Sequence, residues 1–421
     1  MAEDTDPEVT AIATKRSTSL ERLKQALPSL AVVFAATFVL AEWVDIVGSA
    51  ERASTTGGYL VDHVAIWAAA KLSLAGTPAL AYDTDVLRVA QDLPEGTPPD
   101  ALLLWMYPPH AFILATPLGM LRFSLSFLIF SAVSLLAWSW AIARPTARLP
   151  ASRLWLLAAP PLVYCLVTGQ PSLLWMAGFV LALEALRERR EVTAGVILAV
   201  LTMKPHFGLL VPIALIAGGY WRTLAWGAAA TALLLAVGTA MTGLEGWRGF
   251  LEAVSFHRSL IEHGGARVHH LLGVYPFLRT FGVPHDIALI AQPATILVMA
   301  ILVAVIWRRG DAICFDARAA VLCLAGYFAA PYAQFYDALF LAVAGLFWAR
   351  ALHQQGRFDR AARGLIVAGG VATCFVFVPG FPITVLLTPI AAAALIWLLT
   401  GTSTPQRGTD DEFPPRAEAA G

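Results

Sequence analysis

Apolar stretches of about 20 residues recur along the whole chain, a length that lets an α-helix cross the hydrocarbon core of a bilayer. The pattern predicts single spans near residues 28–48, 123–143, 153–169, 171–186, 223–242, 286–307, 317–331, 334–350, 363–379 and 382–400. Two further short spans are expected within 192–219, meeting at Lys204-Pro205. We therefore predict an all-α, polytopic integral membrane protein with about 12 transmembrane helices and juxtamembrane helices on its outer side.

Polar segments divide the chain into a transmembrane domain and two tails. Residues 1–27 are expected to form a cytoplasmic N-terminal tail and residues 401–421 a disordered cytoplasmic C-terminal tail, which leaves 28–400 as the transmembrane domain. Within that domain, 49–104 and 243–285 are predicted to be long outer loops. This arrangement places the arginine clusters between spans in the cytoplasm, as the positive-inside rule requires.

The apolar stretch 101–121 differs from an ordinary span because it contains the double proline of Tyr107-Pro108-Pro109 and a further Pro117. Proline removes a backbone donor and bends a helix. We interpret the stretch as a broken or re-entrant element on the outer side, since a full span here would put the arginine run 187–190 outside.

Residues 58–85 predict a short helix that lies against the membrane. Val61, Ala65, Ala68 and Leu72 recur at helical spacing, and Gly76 with the following Thr77-Pro78 ends the helix. Asp62 stands at its start, at the boundary between membrane and water. Its carboxylate could perform proton transfer on a lipid-linked substrate, or it could cap the helix N-terminus, a position that Asp favours.

Composition supports the membrane class. Of the 421 residues, 58% are hydrophobic and 14% are charged, whereas soluble proteins carry about 25% charged residues. The formal net charge of zero gives no reason to expect nucleic-acid binding. No pair among the four cysteines has metal-ligand spacing, and we predict neither a metal nor another cofactor.

Two ionisable positions stand out, because such residues in or beside apolar spans are costly and are functional candidates. Lys204, at a helix break with His206 nearby, could hold a phosphate as a point charge or could reach to the membrane surface. The segment Pro331–Asp337 offers Tyr332, Gln334 and Tyr336 before a span that Asp337 begins. It is either a substrate-binding segment or an aromatic belt with a capping Asp.

Other polar candidates fall on the same outer side under the charge rule. Gly169-Gln170-Pro171 is a tight turn whose amide can donate and accept, and Tyr107 precedes the double proline. The loop 243–285 holds five of the nine histidines, with Arg267, His269 and His270 close together. Such donors suit an anionic lipid head group. A metal site is the rival interpretation, but the loop lacks the spacing of a zinc helix.

The order of these motifs resembles glycosyltransferase family 87, the polyprenyl-phosphate-mannose-dependent α-1,2-mannosyltransferases of the GT-C fold. The similarity extends over about residues 30–400 and is carried by Asp62, Trp67, Ala75-Gly76-Thr77-Pro78, Tyr82-Asp83, Tyr107-Pro108-Pro109, Pro117-Leu118, Gly169-Gln170, Lys204-Pro205, Trp221-Arg222, Pro331-Tyr332 and Tyr336-Asp337. The family often has Asp-Phe or Asp-Tyr where this chain has Asp62-His63, and Asn where it has Pro171.

The resemblance implies an inverting transfer of a hexose, mannose by family, from a polyprenyl-phosphate sugar to a hydroxyl of a glycan or glycolipid at the outer face of the plasma membrane. It implies that Asp62 is the general base. Lys204 and the Arg/His loop would stabilise the departing lipid phosphate.

Two other classes compete with this interpretation. Broken helices and an intramembrane lysine also occur in secondary transporters and lipid-linked-sugar flippases, but this chain shows no internal repeat and its charges lie at one face. An assembly subunit without activity would leave the placement of Asp62 and Lys204 without a function.

Overall fold

The structure is a computed structural model that describes residues 7–53, 61–93, 102–262, 270–331, 333–356 and 360–401. Its secondary structure is almost wholly helical, which agrees with the predicted all-α class. The α-helices are α1 (Pro7–Ala53), α2 (His63–Leu74), α3 (Thr84–Ala90), α4 (Phe112–Ala115), α5 (Phe123–Ala143), α6 (Pro150–Leu157), α7 (Pro160–Thr168), α8 (Ser172–Arg187), α9 (Glu191–Leu201), α10 (Val211–Ala217), α11 (Trp221–Glu262), α12 (Val274–Thr280), α13 (His285–Arg308), α14 (Phe315–Ala329), α15 (Leu339–Gln354), α16 (Arg360–Thr373) and α17 (Thr384–Gly401). Strands β1 (Leu271–Leu272) and β2 (Ala333–Gln334) pair antiparallel, with Leu271 opposite Gln334.

Seven helical segments of the described chain are long and apolar enough to cross a membrane. They are Gln25–Glu51, Phe123–Ala143, Pro150–Thr168, Trp221–Ile261, His285–Arg308, Phe335–Gln354 and Arg360–Phe377. The expected bounds 123–143 and 286–307 agree with α5 and α13. Several other predicted spans are shorter helices that meet at breaks, and the expected number of about 12 spans is not confirmed.

The centre of the bundle is α14, in which every residue from Asp316 to Ala329 is buried. Much of α15 packs beside it and is also buried. The peripheral helices show the opposite pattern, because large apolar side chains such as Phe34 on α1 and Ile290 on α13 are 74% and 71% exposed. Apolar side chains that face outward around a filled core are what a lipid environment requires.

Two helices extend beyond the spans that the apolar pattern predicts. Helix α1 begins at Pro7, so residues 7–27 are helical and continuous with the first predicted span. The predicted loop 243–285 is largely helical where it is described, since α11 continues to Glu262. Its two halves meet at Gly243, whose φ of 65° and ψ of −174° are accessible to glycine.

The second half of α11 is held by packing that the apolar pattern did not reveal. A side chain at Gly249 would place its Cβ 2.8 Å from the Cβ of Tyr82, so this glycine permits a close approach to the short helical turn Pro78–Tyr82. Phe250 meets the same tyrosine, with ring centroids 6.2 Å apart. Segment 243–262 therefore packs on the element that follows α2.

The two irregular regions have the predicted form. Residues 109–120 make three short helical turns instead of one straight helix. Helices α9 and α10 are separated by a break in which Lys204 has a non-helical backbone, with φ −128° and ψ 77°, and Pro205 begins a single turn. The broken stretch near Tyr107 and the break at Lys204 are therefore present.

Several helix ends converge at one end of the bundle. Helix α2 begins there, α7 ends and α8 begins there, α9 ends there, and the turn that leads into α15 lies there too, as contacts among Asp62, Gln170, Ser172, Lys204 and Asp337 show. The opposite end of α8 and α15 carries a buried ion cluster, in which the guanidinium of Arg350 contacts Glu184 and lies 3.5 Å from a carboxylate oxygen of Asp316. The candidate site and this cluster thus occupy opposite ends of the same helices.

Candidate active site

Asp62 stands immediately before α2 but does not cap it. Its backbone is helical, with φ −54° and ψ −27°, and its side chain makes no capping hydrogen bond to the helix. The predicted short helix is confirmed, with its end at Ala75 and Gly76, whose φ is 81°. The alternative of Asp62 as a simple capping residue is therefore wrong, because its carboxylate points to other partners.

Those partners are the two residues on either side of Gly169. The side chains of Gln170 and Thr168 hydrogen-bond to the carboxylate of Asp62 and lower its pKa, and the positive charge of Lys204 acts in the same direction. Burial opposes them more strongly, because removal from water penalises the charged form. The net result raises the pKa of Asp62 to about 6.

The turn that supplies these partners depends on Gly169. It ends α7 in the left-handed conformation, with φ 67° and ψ 34°, which glycine adopts without strain. Gln170 is buried, and its amide oxygen has no hydrogen-bond partner among the residues that the structure describes. With its nitrogen directed to Asp62, this amide keeps an acceptor for an incoming hydroxyl.

Lys204 is held in a buried ion pair. Its Nζ lies 2.7 Å from Oδ1 of Asp337, and the two side chains are 8% and 1% exposed. Ser172, the first residue of α8, accepts a hydrogen bond from Lys204 and donates one of 2.7 Å to the same carboxylate oxygen. The expected free cation is thus charge-compensated. It does not reach to the membrane surface either.

Asp337 also performs the capping role that the sequence left open. Its Oδ2 accepts a 2.9 Å hydrogen bond from the main-chain N–H of Gln334, at the start of the turn Phe335–Ala338. The other oxygen binds Lys204 and Ser172. A carboxylate with three donors is fixed in place, so Asp337 orients Lys204 rather than serving as a mobile base.

Aromatic rings complete the surroundings of Lys204. Its Nζ lies 4.4 Å from the ring centroid of Phe207 and 5.0 Å from that of Tyr336, distances at which the ring face attracts a cation. Nε2 of His206 lies 3.7 Å from Oδ2 of Asp337, which is too long for a hydrogen bond. His206 therefore acts on Asp337 electrostatically, without a hydrogen bond.

Tyr107 and Tyr336 join the same cluster. Both are within electrostatic reach of Asp62 and Asp337. Burial and these carboxylates raise the pKa of Tyr107 well above its ordinary value, so its hydroxyl stays protonated. The carbonyl of Tyr107 accepts a 2.7 Å hydrogen bond from Tyr82, which fixes the broken stretch at this point.

The remaining predicted residues fall into two groups. The ring of His270 lies 4.9 Å from that of Phe335, beside the β1–β2 pair, and Gln334 contributes the main-chain contact to Asp337. Arg267, His269 and Tyr332 lie outside the described residues. The structure thus brings together Asp62, Tyr107, Gln170, Lys204, His206, Tyr336 and Asp337.

Ser172 and Thr168 are members of this site that the sequence did not single out. Each adjoins the turn Gly169-Gln170-Pro171, and small hydroxyl residues are too common beside turns to be informative alone. Cys165, one turn before Gly169, also lies within electrostatic reach of Lys204, Asp337 and Asp62. Among the residues that the structure describes, no group of three or more His, Cys, Asp or Glu side chains could hold a metal ion.

A half-buried carboxylate beside an oriented lysine, at one end of a bundle of apolar helices, defines a membrane protein with a candidate acid–base site. A comparison with protein families identifies its class: residues 105–331 match the model of glycosyltransferase family 87. The match covers more than half of the 421 residues, and the chain belongs to this family. Membership indicates a glycosyltransferase, with a sugar donor and an acceptor as substrates. No curated protein and no solved structure matches the chain.

Proposed function

We propose that the protein is an inverting glycosyltransferase that moves a hexose, mannose by resemblance, from a polyprenyl-phosphate sugar to a hydroxyl of a glycan or glycolipid. The observation that carries the proposal is the position of the Asp62 carboxylate. It does not cap α2 but is held by hydrogen bonds from Gln170 and Thr168 near Lys204. Asp62 lies outside the family match at 105–331. Its role therefore rests on geometry and on the motif resemblance.

Asp62 is suited to act as the general base. In a single displacement, the acceptor hydroxyl loses its proton as its oxygen bonds to the anomeric carbon, and the bond from that carbon to the phosphate oxygen breaks. A base works best when its pKa lies near the working pH. With a pKa of about 6, Asp62 is ionised at neutral pH yet more basic than an exposed aspartate.

Lys204 supports this step through Asp62 rather than as a free phosphate ligand. Its charge favours the ionised carboxylate of Asp62, and Asp337 and Ser172 keep the ammonium in one place. The negative charge that develops on the leaving phosphate requires separate cations. We assign that role to Arg267, His269 and His270. The ring of His270 lies 4.9 Å from that of Phe335, which is two residues before Asp337.

The proposed site faces the outer side of the plasma membrane. The arginine runs at 187–190, 308–309 and 360–363 would be cytoplasmic. On α15, Arg350 lies towards the end that is far from Asp337. On α8, Arg187 is the last residue and Ser172 the first. A lipid-linked donor could then reach the site from the outer leaflet.

Replacement of Asp62 tests the proposal. Membranes that contain full-length protein or the Asp62→Asn variant would receive radiolabelled polyprenyl-phosphate mannose, and label in lipid-linked glycans would be measured by mass spectrometry and counting. We expect the variant to lose transfer by at least about 100-fold, the lower range for general-base removal. Asp85→Asn is the matched control, since Asp85 is exposed on α3. Equal transfer by both variants would refute the proposal.

A further inference from the structure

His63, the residue after Asp62, is fully buried in an aromatic pocket. Its ring centroid lies 5.1 Å from that of Phe130, 5.8 Å from that of Phe127 and 6.0 Å from that of Phe123. These three phenylalanines are separated by four and three residues and share one face of α5. The first side chain of α2 is therefore inserted into the first long span after it.

A hydrogen bond fixes the rotation of this ring. Nε2 of His63 lies 2.9 Å from Oγ of Ser126 on the same face of α5. Both residues are 0% exposed, so water cannot replace either partner. A buried polar atom that loses its partner carries the full cost of its desolvation.

Gly169 closes the pocket from the other side. A Cβ at this residue would lie 2.6 Å from the Cβ of His63 and 3.1 Å from the ring of Phe127. The backbone of the turn therefore touches His63, while its neighbours Thr168 and Gln170 hydrogen-bond to Asp62. One turn thus contacts both members of the Asp62-His63 pair.

We propose that His63 is a positioning residue that fixes the direction of the Asp62 carboxylate through Ser126 and the bare Cα of Gly169. Since the peptide bond that joins the two residues is planar, a fixed His63 also fixes the Cα of Asp62. The hydrogen bonds from Gln170 and Thr168 then restrict rotation about the Cα–C bond and the side-chain bonds of Asp62. This inference rests on the proposed role of Asp62 as the base.

A proton relay is the competing role for a histidine beside a catalytic carboxylate. Burial lowers the pKa of His63 to about 3, against an opposing effect of the Gly169 backbone. Its other neighbours in the pocket are aromatic rings and a hydroxyl. Nε2 of His63 is engaged by Ser126 and not by Asp62, and an imidazole with so low a pKa does not take a proton from a carboxylic acid with a pKa of about 6. The geometry therefore supports positioning and not proton transfer by His63.

The Ser126→Ala variant of the full-length protein tests this role, with polyprenyl-phosphate mannose as the donor in membranes. We expect turnover at saturating donor to fall at least about 10-fold, because small misplacements of a reacting group are costly. The KM for the donor should not change. Ser131→Ala is the matched control, as Ser131 lies on the same helix, is 1% exposed and has no hydrogen-bond partner among the described residues.

A double variant separates positioning from a loss of folding. His63→Phe combined with Ser126→Ala removes both polar partners and keeps a ring in the pocket, so turnover should recover towards wild type. Ser126→Ala turnover equal to that of Ser131→Ala, or a loss confined to KM or to protein amount, would overturn the positioning role. If Asp62→Asn itself keeps wild-type turnover, the proposed function fails and this role with it.

Discussion

The ammonium of Lys204 and the carboxylate of Asp337 lie 2.7 Å apart, although 133 residues separate them in the sequence. Both side chains are almost completely buried. The pair joins the break between α9 and α10 to the turn before α15, and Ser172 adds the start of α8. Three helix ends are thus held in one arrangement beside Asp62.

Loss of one partner of this pair should destabilise the protein strongly. Lys204→Met removes the cation that pairs with the buried carboxylate of Asp337, and Asp337→Asn removes the anion that pairs with Lys204. Each variant should lower the free energy of unfolding by about 3–5 kcal/mol. The double variant Lys204→Met/Asp337→Leu should recover part of that loss, because no buried charge is left. Thermal unfolding in detergent measures these differences.

The exposed pair Arg248 and Glu245 provides the control for this prediction. Its atoms also approach to 2.9 Å, but the side chains are 70% and 72% exposed, and exposed pairs contribute about 0–1 kcal/mol. Glu245→Gln should therefore change the melting temperature little. An Asp337→Asn protein as stable as this control would contradict a structural role of the pair.

The pH dependence of transfer should follow Asp62. Its pKa of about 6 predicts that turnover at saturating donor falls about ten-fold per pH unit below that value and is level above it. The charged and titratable groups that face it are Lys204, Asp337, Tyr107, Tyr336 and Cys165. A turnover profile between pH 4 and 8 checks the position of the acidic limb.

The hydrogen bond from Gln170 to Asp62 predicts in which direction the acidic limb of the turnover profile shifts when Gln170 is replaced. Because that bond lowers the pKa of Asp62, Gln170→Leu should move the acidic limb to higher pH. An unchanged limb in this variant, or a wild-type limb near 4, would show that another group controls the rate.

Gly169 should not tolerate a side chain. Gly169→Ala would combine a strained φ of 67° with a Cβ only 2.6 Å from that of His63, so we expect loss of transfer. Gly219→Ala is a matched control, since its φ is 72° but no atom lies within 4 Å of the added Cβ. It should carry the backbone strain of about 1 kcal/mol and keep its turnover. Comparable loss in both variants would mean that backbone strain, rather than contact with His63, is responsible.

The sequence pattern predicts local features of this fold well. Helix α2 ends at Leu74, just before Ala75 and Gly76, α5 has the expected bounds, and the break at Lys204 is present. Each depends on nearby residues, namely apolar spacing, glycine and proline. The continuation of α11 to Glu262 depends instead on packing against Tyr82, which no local pattern encodes.

The sequence also predicts which residues belong to the candidate site, but only in part. The charge rule placed Asp62, Gln170, Lys204 and Asp337 at one face, and the structure brings them within electrostatic reach. The partners were not predictable, since a pairing of Lys204 with Asp337 requires knowledge of which helix ends adjoin. Ser172 and Ser126 were missed because a hydroxyl in an apolar helix has many harmless roles.

Replacement of the base should make the protein more stable at neutral pH. The pKa of Asp62 rises from 3.8 to about 6 on folding, so the native state binds a proton more tightly than the unfolded state between these values. The free energy of unfolding then falls as the pH rises from about 4 to 6.

Asn at this position carries no charge, and its amide oxygen can still accept hydrogen bonds from Gln170 and Thr168. At pH 7 we expect the free energy of unfolding of Asp62→Asn to exceed that of wild type by about 1–3 kcal/mol, a range that allows for partial exposure of the carboxylate. This difference should vanish below about pH 4. Thermal unfolding of the variant, wild type and Asp85→Asn at both pH values measures this, and a variant no more stable than wild type at pH 7 would show that burial of the Asp62 charge costs nothing.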